Sequence, residues 1–330
     1  MAPTLDYWFG NNTHNNKTIF YFDSNTMNAK WLYKKDLPKD VSYSTIIKWN
    51  GVSINVCSNL SQTHKYIIPQ DTNYSTKQIT FLKSLLQKCI RRQLNDQTIK
   101  TAYHLIKINI VEFLRRITII IIEDVILHES YSILVWLMIA VSTKNKFLPD
   151  KNIIDWLLGL VNTLCNIKEF GEIGYDSNKY DISNLDDHDI LYSLQLRINY
   201  GGMDCDMKML NYITDLWLKK FKAGEQYNCE CIKAIDSNEI KNLTISDWKL
   251  DGDNMVCIDF HCAPYILDTL SNKHNYSLEE IKSAIWNCSS SINYRKSNIK
   301  TQYDLKIWKI IESDFYKLQK NIFNKYILNH

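Results

Sequence analysis

Asp259-x-His261-Cys262 places a carboxylate, an imidazole and a thiol within four positions. These are the residue types of an orienting group, a base and a nucleophile. Adjacent side chains on a helix diverge by about 100°, so His261 and Cys262 need partners from other elements before they can act together. Without them, Cys262 is a small buried apolar side chain and His261 a hydrogen-bonded group at a helix start. Cys229-x-Cys231, with Cys257, His261, Cys262 and Cys288, supplies enough thiolate and imidazole for one tetrahedral zinc. The spacing lacks the paired C-x-x-C knuckles of a structural zinc site, and the expectation is no metal and no cofactor.

The arginines form a second constellation. Only six occur, Arg91-Arg92, Arg115-Arg116, Arg197 and Arg295, and the rest of the positive charge is lysine. Guanidinium is planar and binds phosphate or carboxylate through paired donors, so these six are the candidate anion or nucleic-acid contacts. The competing reading pairs Arg91, Arg92, Arg115 and Arg116 with Asp96, Glu112, Glu123 or Asp124, stitching helices together. Arg295 follows Trp286-Asn287-Cys288-Ser289-Ser290-Ser291, whose hydroxyls and amides suit a phosphate or an ordinary turn. Arg197 and Arg295 are further expected to share a polar pocket with Asp259 and His261.

The elements that must hold these residues change character along the chain. Thr18–Phe22, Lys30–Tyr33, Thr45–Trp49 and Val52–Val56 are short β-favouring runs separated by Asn, Asp, Ser and Pro turns. Residues 1–75 are read as a small β-rich module, a meander, whose Trp8, Trp31 and Trp49 form either a binding face or a core. From Thr76 the apolar period becomes helical through Ile79, Leu82, Leu86 and Ile90. A second helix carries Ile99, Ala102 and Ile106 inward. A third, with Phe113-Leu114 and the run Ile117 to Val125, is apolar nearly all round and so expected to be buried. Further helices follow at Tyr131–Val141 and after Pro149-Asp150, closing a helical domain over 76–168.

The polar interval from Lys168 to Asp187 reads as a loop or boundary. Beyond it, residues 188–330 are read as a second helical subdomain packed on the first. It begins with a helix hairpin, Asp189–Asn199 and Asp204–Phe221, turned at Tyr200-Gly201-Gly202 with a left-handed glycine. A mixed stretch precedes a helix opened by Pro264. Ser277-x-x-Glu280 is a capping box, and an amphipathic helix runs from Tyr303 to Ile327. The fold class is therefore mainly α, a small N-terminal β-rich module followed by a multi-helix array.

Composition bounds the rest. A chain of 330 residues with 45% hydrophobic and 23% charged residues is globular, and exceeds the roughly 250 to 300 residues at which one core stops growing. Abundant Asn, Lys, Ile and Tyr against scarce Gly, Pro and Arg is the skew of AT-rich coding DNA, as in some protists, parasites and large DNA viruses. A net charge of +3 is too small to indicate nucleic-acid binding without a local patch. Nine cysteines behind a start that lacks the basic and apolar regions of a secretory signal are expected to be reduced thiols in a cytoplasmic setting. The most hydrophobic stretch, Ile117 to Val141, is interrupted by Glu123, Asp124, His128 and Glu129, so no membrane span is expected.

The stretch Leu85-Leu86-Gln87-Lys88-Cys89-Ile90-Arg91-Arg92, with Glu112-Phe113-Leu114-Arg115-Arg116-Ile117 through Ile122-Glu123-Asp124-Val125, resembles the helical collar domain of MgsA/RarA-type AAA+ replication-recombination proteins. The resemblance covers about residues 80–165. It implies a helical oligomerisation or docking module acting near DNA. The family's ATPase core has no counterpart, because no G-x-x-x-x-G-K-[ST] loop is present. The sequence thus points to a non-enzymatic helical scaffold or adaptor associated with DNA replication, repair or packaging. Its expected partners are a protein or a second copy, with DNA or RNA. One alternative is an enzyme, a hydrolase or nucleic-acid-processing activity, built on Asp259, His261, Cys262 and Arg295. The other is a structural virion or assembly protein.

Overall fold

The computed structural model describes residues 17–62, 74–177, 188–248, 264–289 and 301–328. It is mainly helical and carries one four-stranded sheet, which makes it mixed rather than all-helical. The strands are β1 (Ile19–Asp23), β2 (Asn28–Leu32), β3 (Tyr43–Trp49) and β4 (Val52–Ser58). The α-helices are α1 (Thr76–Arg91), α2 (Asn95–Glu123), α3 (Tyr131–Ser142), α4 (Lys151–Asn166), α5 (Asp189–Asn199), α6 (Asp204–Lys222), α7 (Pro264–His274), α8 (Leu278–Cys288) and α9 (Gln302–Phe323).

Two compact units divide the chain. One comprises Met1–Ile67, Phe113–Ile154 and Lys168–Cys231; the other Ile68–Glu112, Asp155–Ile167 and Ile232–His330. Each unit interleaves segments that are distant in sequence, where the sequence reading divides the chain into consecutive blocks.

In the first unit the sheet runs in the order β2-β1-β4-β3. The strands fall where their β-favouring runs place them, but they do not form a meander. Two antiparallel hairpins are joined through a parallel β1–β4 pairing in the centre. The β3–β4 hairpin is closed by Asn50 and Gly51, both at positive φ (47° and 83°), the backbone that a two-residue turn between twisted strands requires. The central strands are covered on both faces. Ile19, Tyr21 and Cys57 pack with Leu32, Leu37 and Val41. On the other face Phe20 stacks on Trp31 with ring centroids 4.5 Å apart, and Trp31 meets Trp49. Trp31 and Trp49 are thus core and leave no binding face, while Trp8 lies outside the described residues. Helix α3, apolar on every side, is buried from Tyr131 to Val141. It anchors to the sheet through Trp136 Nε1 donating to the Phe20 carbonyl at 2.9 Å, and the Tyr43 hydroxyl donates to the Asn145 carbonyl just beyond its end at 2.8 Å. Among the described residues no helix is long and apolar enough to cross a membrane.

In the second unit α7, α8 and α9 enclose a core of Ile266, Leu270, Ile281, Ile285, Ile311 and Phe315. Ser277 and Glu280 form the expected capping box at the start of α8. Helix α2 contains one non-helical residue, Asn109 (φ −158°, ψ 88°). Its side-chain oxygen accepts the Glu112 N–H at 3.1 Å, so Asn109 serves as the N-cap of the helical stretch that follows it. The second and third helices read from the sequence are the two sides of this break. Isoleucines 117, 119, 120, 121 and 122 are buried, as an all-round apolar helix requires.

Candidate functional site: the Arg115–Arg116–Arg197 cluster

Three of the six arginines come together in the first unit. Arg115 and Arg116 lie on α2, and Arg197 ends α5 on the stripe of Ile190, Leu191 and Leu194. A guanidinium therefore occupies a position that the helical period assigns to the core, and Arg197 is only 2% exposed. Its donors are directed to backbone and hydroxyl oxygens rather than to a carboxylate. Nε donates to Thr118 Oγ1 at 3.0 Å, one terminal nitrogen to the Gly201 carbonyl at 2.8 Å, and the other to the Arg115 carbonyl at 3.4 Å. Thr118 Oγ1 in turn donates to the same Arg115 carbonyl. Gly201 sits at φ +72°, so the left-handed turn read from sequence is what presents its carbonyl to Arg197.

The electrostatics of the cluster follow from burial and charge. Burial lowers the proton affinity of Arg197, and the neighbouring cations Arg115 and Arg116 push the same way, while Asp206 opposes them. Half-buried Asp206 has its carboxyl raised above the usual range, first by burial and further by Glu123; Arg116 and Arg197 pull it back. Arg197 forms no ion pair with Asp206 among the described residues; three guanidiniums, Arg115, Arg116 and Arg197, act here against two carboxylates, Asp206 and Glu123. Tyr131, fully buried, has a hydroxyl with no hydrogen-bond partner among the described residues. Burial drives its phenol far above the ordinary value, with Arg197 acting in the opposite direction.

Arg115 is the member with unspent donors. Its guanidinium is half-buried and makes no hydrogen bond or ion pair with a described residue. Arg116 is itself engaged. Two of the acids expected to absorb the arginine pairs are held by lysines instead: Lys83 on Glu112, and Lys100 on Asp96 one helical turn away. Arg91 and Arg92 belong to the second unit and are both engaged. Arg92 donates to the Ser289 carbonyl at 2.8 Å, fastening α1 to the end of α8.

The remaining candidates do not assemble among the described residues. Cys257, Asp259, His261, Cys262 and Arg295 lie outside them. Cys229 and Cys231 are exposed free thiols of the first unit, and Cys288 is a half-buried thiol of the second. Among the described residues no three potential metal ligands cluster. A shallow apolar cleft in the first unit, lined by Ile122, Ile126, Leu127, Ile213, Trp217 and Lys220, includes none of the residues singled out by chemistry.

Two buried histidines escape the sequence reading because nothing in their local spacing marks them. Trp248 Nε1 donates to His104 Nδ1 at 2.7 Å, leaving Nε2 to donate to the Tyr74 hydroxyl at 2.7 Å. His128 accepts the Ser130 N–H at Nδ1 (3.1 Å) and donates from Nε2 to the Glu230 carbonyl (3.1 Å). Both rings are fixed in one tautomer and act as struts. Burial, the largest influence, lowers the His128 pKa. Compared with known proteins, the chain matches no family model, no curated protein and no solved structure.

Proposed function

We propose that the protein is a non-enzymatic scaffold or adaptor that docks on nucleic acid through Arg115, with Arg197 holding the backbone beneath it. The observation that carries this reading is the Arg115 guanidinium, which has no hydrogen bond or ion pair among the described residues and stands beside two further cations. A guanidinium spends its donors on oxygen where oxygen is available. Arg197 meets that demand with carbonyls and a hydroxyl; Arg115 is left for an external phosphate. Asp206, its charge disfavoured by burial, offsets the cations only in part. The assignment to DNA replication, repair or packaging rests on the resemblance of residues 80–165 to the collar domain.

Fluorescence polarization with labelled single- and double-stranded DNA tests this, titrated across salt concentrations. Phosphate contacts release counterions, so log K falls with log salt by about 0.9 per contact on duplex DNA and about 0.7 on single strands. Arg115→Ala is expected to weaken binding and flatten that slope by roughly one contact. Binding that is indifferent to salt, or unchanged in Arg115→Ala, removes the proposal.

A further inference from the structure

The two edges of the sheet are protected unequally. An open edge presents unpaired N–H and C=O groups to any other strand, and short length or an edge lysine blunts that hazard. Strand β2 has both protections, with five residues and exposed Lys30 at its centre. Strand β3 has seven residues; it too carries an exposed lysine, Lys48, but near its end, and its central residue is Ile46, 68% exposed.

The register fixes which backbone groups of β3 face outward. Trp49 and Val52 flank the two-residue turn, so Trp49, Ile47, Thr45 and Tyr43 exchange hydrogen bonds with β4, and Lys48, Ile46 and Ser44 point away from it. Two contacts agree with this parity. The Ser44 carbonyl accepts Asn145 Nδ2 at 3.3 Å from outside the sheet, and Asn55 N–H, on the opposite side of β4, donates to the Thr18 carbonyl. The backbone N–H and C=O of Ile46 and Lys48 have no partner among the described residues.

We propose that the β3 edge is where two copies of this chain associate, antiparallel about a two-fold axis at Ile46, giving one continuous eight-stranded sheet. The argument for a second copy is that this edge complements itself. With an odd number of residues and an outward-facing centre, a two-fold pairing sets Ile46 against Ile46 of the second copy as a hydrogen-bonded pair. Ser44 then meets Lys48 of the second copy, and Thr45 meets Ile47. No like charges face each other, and the exposed isoleucine gains an apolar neighbour. The isologous arrangement closes at two copies because both β3 edges are used up, and the far edge, β2, is short with Lys30 at its centre. Asn145 occupies the Ser44 carbonyl, so the intermolecular ladder rests on the Ile46 pair and on the Ser44 N–H donating to the Lys48 carbonyl of the second copy.

Sedimentation equilibrium of the full chain over a concentration series tests this. Ile46→Pro removes an N–H that points away from β4, so the internal ladder keeps its bonds while the intermolecular ones are blocked. Ile46→Lys leaves the backbone untouched and sets two cations face to face. The expected result is a wild-type mass of two chains, falling to half in both variants with unchanged circular dichroism. If Ile46→Pro misfolds, Ile46→Lys decides alone. A wild-type chain that stays monomeric, or a dimer that survives Ile46→Lys, overturns the proposal. A monomer that adds a strand only from an unrelated peptide overturns it as well.

Discussion

Arg92 in the second unit and Arg115 in the first each stand directly beside another arginine in the sequence, yet they are put to opposite uses. Arg92 reaches the carbonyl of Ser289 and fastens two helices. Arg115 gives its own carbonyl to Arg197 and Thr118 while its guanidinium bonds to no described residue. Residue type alone does not decide whether an arginine becomes a strut. What decides is the supply of nearby oxygens. Arg197 marks one extreme, buried and saturated by carbonyls and a hydroxyl, and Arg115 the other.

That comparison can be broken by substitution. The largest stability loss is expected for Arg197→Ala, which removes a charged donor from Thr118 Oγ1 and the Gly201 carbonyl and leaves the Arg115 carbonyl to Thr118 alone; about 3 to 4 kcal/mol follows from charged hydrogen bonds removed around a buried side chain. Urea unfolding measures it, and a loss under about 1 kcal/mol would show that Arg197 is no strut. Arg92→Ala comes next, at about 1 to 2 kcal/mol for one charge-assisted bond to a carbonyl. Arg115→Ala is expected to change stability by no more than about 0.5 kcal/mol, as for a side chain without partners, while weakening DNA binding. A stability loss matching that of Arg92→Ala would erase the contrast.

The pH dependence of the first unit sharpens the account of its other strut. Burial holds the folded-state pKa of His128 below its ordinary 6.5, so the unfolded chain takes up the proton first. The contribution of neutral His128 is complete above 6.5 and is lost as pH falls below it toward the folded-state value. His128→Gln should flatten this part of the unfolding curve, and an unchanged slope would place the titration elsewhere.

Much of the fold was legible because period and punctuation agree. The strands, the Gly201 turn, the Ser277 capping box and the all-round burial of Ile117 to Ile122 on α2 each follow from local rules. Pairing was not legible: alternation marks a strand but does not say that β4 lies parallel to β1, and the meander reading fails there. The position of Asn109 was missed because the apolar residues on either side of it continue the helical period. Of the site, the arginine types were visible, while the convergence of Arg197 with Arg115 and Arg116 needed three dimensions. One signal was available, since a charged residue on the stripe of Leu191 and Leu194 marks a buried cation that must find oxygens. The acids nearest in sequence misled, because Lys83 and Lys100 hold Glu112 and Asp96.

The most direct test compares the two arginine pairs in one binding experiment. Salt-dependent polarization titrations of labelled duplex DNA would be run on wild type, Arg115→Ala/Arg116→Ala and Arg91→Ala/Arg92→Ala, each shown to be folded. The account predicts that the first double variant loses affinity and that its salt slope falls by about 0.9, the one contact of Arg115, while the second binds as wild type does. Equal losses in both variants, or a wild-type chain that does not bind DNA at low salt, would contradict it.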